Sequence, residues 1–167
     1  FYVAMVLMAV LWAFGASGIQ YGLSPFLVGL FYRLAYSAGF LAAVFFYLFT
    51  RYFPYQIIKL SRTHLAALFS STAFILLIIN LPNVFLASYV LPENRFKAEL
   101  SIVWNLVFAF ADLTIIGLSF RNLFIKYKTI GGIWRTRIKQ IITATSVAFA
   151  GGLIFSLIIP IFYNNFL

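Results

Sequence analysis

Residues 101–120 read S-I-V-W-N-L-V-F-A-F-A-D-L-T-I-I-G-L-S-F, and residues 121–140 continue R-N-L-F-I-K-Y-K-T-I-G-G-I-W-R-T-R-I-K-Q. The first segment carries a single charge, Asp112. At about 1.5 Å per residue it is long enough to cross the roughly 30 Å hydrocarbon layer of a bilayer. The second holds Arg121, Lys126, Lys128, Arg135, Arg137 and Lys139 and no acid, half of the 12 Lys and Arg in the chain. A short connection this rich in Lys and Arg resists translocation and stays on the cytoplasmic side. Together the two segments predict a membrane span that enters from outside and delivers a basic cytoplasmic loop.

Composition extends that reading to the rest of the 167 residues. The chain is 64% hydrophobic and 9% charged, with a mean hydropathy of +1.03. Soluble domains are nearer 45–50% apolar and about 25% charged, so lipid must be the solvent for much of this surface. A net charge of +9 would point to nucleic acid in a soluble chain. Here the positive charge lies between apolar spans, and its partner is the anionic headgroup layer of a lipid bilayer; no nucleic acid is implied. The absence of cysteine excludes disulfides, thiol catalysis and Cys-ligated metals.

In chain order the hydropathy predicts an all-α, polytopic helical membrane bundle of five transmembrane helices, forming one domain over residues 1–167. The spans are about 1–19, 24–50, 65–80, 101–120 and 141–163. The apolar opening at Phe1 reads as the interior of a span that began earlier. Ser24-Pro25 opens the second span as an N-cap followed by Pro at the first helical position. Leu81-Pro82-Asn83 breaks the third, and residues 84–90, too short to cross, are expected to lie at the interface or to be partly re-entrant. Ala9, Ala13 and Ser17, and again Ala144, Ala148, Gly152 and Ser156, form small-residue stripes at four-residue spacing that favour close helix packing. The uncharged and cationic loops alternate, which places residues 51–64 and 121–140 on the cytoplasmic side.

Two charges fall inside spans, Arg33 and Asp112. Each alone costs about 2.5–3.5 kcal/mol at a helix centre. Counted from Ser24 and Ser101 they lie at similar depth, so an ion pair between them is expected. Ser37 shares a face with Arg33, and Asn105 and Ser119 share one with Asp112. These five residues define a candidate polar lock or ligand pocket. His64, the single histidine, has no Cys, Asp or Glu near it in sequence and reads as interfacial, so no metal site is expected. Tyr21, Tyr52, Tyr89, Trp104, Trp134 and Tyr163 match an aromatic belt at the span ends. Gly131-Gly132 lacks the surroundings of a phosphate-binding loop. No catalytic constellation is visible, and neither an enzyme nor a cofactor is expected.

F-Y-R-L-A-Y-S-A-G-F-L-A-A-V-F-F-Y-L-F-T-R-Y-F-P (residues 31–54) resembles a helix of the N-terminal seven-helix transmembrane sensor region of bacterial histidine kinases and some diguanylate cyclases. R-T-R-I-K-Q-I-I-T-A-T-S-V-A-F-A-G-G-L-I-F-S-L-I-I-P (residues 135–160) resembles the penultimate helix of that region, and N-L-P-N (residues 80–83) stands where the family breaks its chain on the outer side. The resemblance implies that these spans are the second to sixth of seven, in a bacterial inner membrane. A C-terminal signalling domain would then lie outside the residues given. It implies a sensory or signal-relay role, with a homodimer among the compatible assemblies. A structural or accessory subunit of a larger membrane complex is the alternative, and a transporter or channel fragment the third; the single broken segment offers little support for a transporter's inverted repeat.

Overall fold

The structure, a computed structural model, describes residues 1–20, 24–55, 61–81, 84, 86–90 and 96–153. These form α1 (Tyr2–Gln20), α2 (Pro25–Tyr52), α3 (Arg62–Asn80), β1 (Leu86–Val90), β2 (Phe96–Leu100), α4 (Ile102–Thr129) and α5 (Gly132–Leu153). Four helices are long and apolar enough to cross a membrane, over Tyr2–Ile19, Phe26–Tyr52, Arg62–Asn80 and Leu106–Thr129. The chain is thus a membrane-embedded helical bundle. The expected fifth span, 141–163, extends beyond the described residues; its described part belongs to α5. The chain divides into two compact units, Phe1–Ser119 and Phe120–Leu167, where the sequence reads as one domain.

Local chemistry sets the helix ends. Ser24 is extended (φ −101°, ψ 158°) and its Oγ accepts from the Leu27 amide at 3.4 Å, with Pro25 opening α2 as the sequence predicts. Ser61 caps α3 in the same way, its Oγ accepting from the His64 amide at 3.2 Å and meeting His64 Nδ1 at 2.8 Å. His64 is therefore one half of a cap. The cytoplasmic loop expected over 51–64 shrinks accordingly, since α2 runs to Tyr52 and Arg62 begins α3; residues 56–60 lie outside the described ones.

Within the first unit, α1 and α2 run antiparallel and nearly touch. A Cβ added to Gly15 would stand 2.8 Å from the Ala35 backbone nitrogen, and one on Gly18 2.5 Å from the Phe31 ring. Aromatic contacts extend this seam from Phe14–Phe31 at one end to Phe1–Tyr52 at the other. The stripe Ala9, Ala13 and Ser17 is exposed, on the opposite side. Close approach here selected the residues with no side chain, not the smallest side chains in the most regular spacing. The core lies on another face of α2, where Phe40, Val44, Tyr47 and Leu48 pack with Ile75, Ile78 and Ile79 of α3. Trp104, Phe108, Ala111 and Ile115 of α4, spaced four, three and four apart, pack against that cluster. Trp104, expected in an aromatic belt, also packs against this core.

Within the stretch expected to lie at the interface or to be partly re-entrant, Leu86–Val90 forms a strand. Leu86–Val90 pairs antiparallel with Phe96–Leu100, from Leu86 opposite Leu100 to Val90 opposite Phe96. An apolar run of this length, with β-branched and aromatic residues and a Pro-containing connection after it, fits a strand at least as well as a helix fragment. Because Leu86 faces Leu100, the hairpin returns the chain to the end of the bundle where α3 stops. α4 therefore runs in the same sense as α2.

Candidate functional site

The hairpin's return decides the geometry of the intramembrane charges. Phe108 sits edge-on to Tyr36 at 5.1 Å and tilted on Phe40 at 5.8 Å, which places it level with the α2 turn between them. Asp112 lies one turn further in, and Arg33 nearly one turn before Tyr36 in the opposite direction. The separation along the axis is about nine residues, roughly 13 Å. Arg33 and Asp112 accordingly form no ion pair with each other, and the part-buried Arg33 leaves its Nε enclosed without a hydrogen-bond partner. The depth count from Ser24 and Ser101 misleads because α4 does not start level with α2. Ile102 is six residues before Phe108, whereas Pro25 is about thirteen before the same level, an offset of about 10 Å.

The other residues of the expected lock have separate engagements. Ser37 Oγ accepts from Asn80 Nδ2 at 3.2 Å, tying the middle of α2 to the last residue of α3. Asn80 also donates to the Leu76 carbonyl at 2.8 Å, so its amide is oriented from both sides. Ser119, fully buried, donates to the Ile115 carbonyl of its own helix at 2.7 Å. The side chain of Asn105 lies outside the described residues. Sequence reasoning noted Asn80 as part of a helix break and missed it as a partner; an amide ending an otherwise apolar helix was the available signal.

The basic segment is also different in kind from the loop expected over 121–140. α4 continues to Thr129 and α5 starts at Gly132, leaving a two-residue turn. Lys and Arg are good helix formers and did not end the helix; the turn comes at the glycines. Gly132 has φ +66°, the left-handed backbone that glycine adopts without strain. Ile130, Ile138 and Leu123 are buried in this second unit, as is Lys126. Arg121, Lys128, Arg135, Arg137 and Lys139 are exposed. The Arg135 guanidinium lies 4.8 Å from the Tyr127 ring centre across the turn, and that of Arg137 lies 5.1 Å from Trp134. Among the described residues no cluster of His, Cys, Asp or Glu could hold a metal ion.

Comparison with family models, curated proteins and solved structures finds no match.

Proposed function

We propose that this chain is a membrane-embedded sensory or signal-relay domain of a bacterial cytoplasmic membrane, in which the trigger engages Arg33. The observation that supports this reading is the enclosed, unpartnered Arg33 Nε, with Asp112 about 13 Å away along the bundle. A guanidinium held within a span costs about 2.5–3.5 kcal/mol unless it is paired. Any anionic ligand, or any second packing that supplies a partner, recovers part of that cost and so biases the bundle. α4 meets the core through Trp104, Phe108, Ala111 and Ile115, without the glycine contacts that hold α1, and α4 is therefore the element proposed to shift.

The absence of native cysteine makes the test direct. Paired cysteines on α2 and α4 are spin-labelled in lipid nanodiscs, and the distance distribution is read with Arg33 and with Arg33→Gln. Two separations are expected, their ratio changing by about a hundredfold when the charge is removed, which corresponds to the cost above. One separation, identical in both proteins, overturns the relay reading. The accessory-subunit reading is favoured by one feature, the exposed Ala144 and Ala148 on α5, which offer a close-packing surface to another helix.

A further inference from the structure

We infer that the α4–α5 hairpin is a binding site for anionic phospholipid headgroups of the bilayer its own helices cross. α4 is 28 residues long, about 42 Å, which exceeds the roughly 30 Å hydrocarbon layer and approaches the 40–45 Å of the whole bilayer. The surplus falls at its basic end, so the residues from Arg121 onward pass through the headgroup layer. Helical side chains tilt toward their own N-terminus, which on α4 turns Arg121 and Lys128 back toward the lipid. Lys139, seven residues along α5 from the turn, returns about 10 Å toward the same level and lines a shallow depression with Thr136, Gln140 and Thr143.

The two stacked arginines make this more than a positive field. A guanidinium lying over an aromatic ring engages its π face and keeps its in-plane N–H groups free, the geometry that accepts two phosphate oxygens at once. Tyr127 and Trp134 are interfacial residue types, and Ile133 beside them is exposed, so the same surface offers an apolar contact to the upper acyl chain. No acid interrupts residues 121–140, and an acidic protein face or a nucleic acid would have to compete with lipid already at hand.

The test uses the full chain in phosphatidylcholine vesicles containing phosphatidylglycerol, with Trp12→Phe and Trp104→Phe leaving Trp134 as the single emitter. Quenching by brominated phosphatidylglycerol is compared with quenching by brominated phosphatidylcholine. A preference of tenfold or more for the anionic lipid is expected. It should fall about fivefold for each of Arg135→Gln and Arg137→Gln, and approach unity in 1 M salt. Lys139→Gln, which touches neither ring contact, is the second variant and loses a similar factor. Equal quenching by the two lipids overturns the inference, as does a preference that survives the arginine substitutions. Replacing chloride by inorganic phosphate at equal ionic strength leaves the preference unchanged; a phosphate-specific loss assigns the site to a free anion and also overturns it. None of these readings involves Arg33, so the outcome is independent of the relay proposal.

Discussion

Substituting Gly15 by alanine should separate the tightest pair of helices in the bundle. The new Cβ would lie 2.8, 3.0 and 3.1 Å from the nitrogen, Cα and Cβ of Ala35. Carbon contacts are optimal near 3.5–4.0 Å, so α1 and α2 must part by about 0.5–1 Å. Two of the three atoms are backbone and cannot swing aside. A gap of that size forfeits a quarter to a half of each dispersion contact along the seam. Because lipid offers no hydrophobic drive to hold helices together, that packing is what the pair depends on. The expected loss is about 2 kcal/mol, within the range of about 1–3 kcal/mol for overpacked sites, and corresponds to roughly thirtyfold in the unfolding equilibrium. Titration of micellar protein with sodium dodecyl sulfate, followed by far-ultraviolet circular dichroism, measures it. Two internal controls sharpen the result. Gly117→Ala meets no atom within 4 Å and should be neutral or gain about 0.5–1 kcal/mol in helix stability. Gly18→Ala presses on the Phe31 ring, a side chain able to turn, and should fall between the two. A Gly15→Ala midpoint equal to that of Gly117→Ala would refute the seam.

Two further outcomes follow from single contacts. Gly132→Ala places a side chain at φ +66° and should cost about 1–2 kcal/mol, seen as faster hydrogen exchange across the α4–α5 turn, while Gly131→Ala, with open space around it, should not. Ser37→Ala and Asn80→Ala should couple in a double-mutant cycle by about 0.6 kcal/mol and no more than about 1.7, with a coupling of zero showing that their 3.2 Å contact does not hold α3 to α2.

Four of the five expected spans coincide with long apolar helices, the last of them shifted to Leu106–Thr129, and they were legible because their signal is cumulative. Twenty apolar residues ending in Arg121, or Ser24-Pro25 ahead of another apolar run, leave few alternatives for the chain. What stayed hidden depends on relative position. The sequence measures depth along one helix from its own start, but nothing in it states that the hairpin delivers α4 about 10 Å inward of α2. The Arg33–Asp112 pair was lost to that offset. The α1 seam was misread for a related reason. Ala9, Ala13 and Ser17 are the more regular stripe, but Gly15 and Gly18 allow the closer approach, and only packing distinguishes the two. The basic segment was taken for a loop on its charge, although Lys and Arg favour helix and the glycines alone marked the turn.

The stagger of α4 against α2 also shapes the surrounding lipid. Where α4 begins about 10 Å short of α2, the outermost turns of α2 have no α4 beside them. A bilayer accommodates such a stagger by local thinning or helix tilt, at a fraction of a kcal/mol per Å of mismatch. Bilayer thickness is therefore a force acting on the joint between α2 and α4.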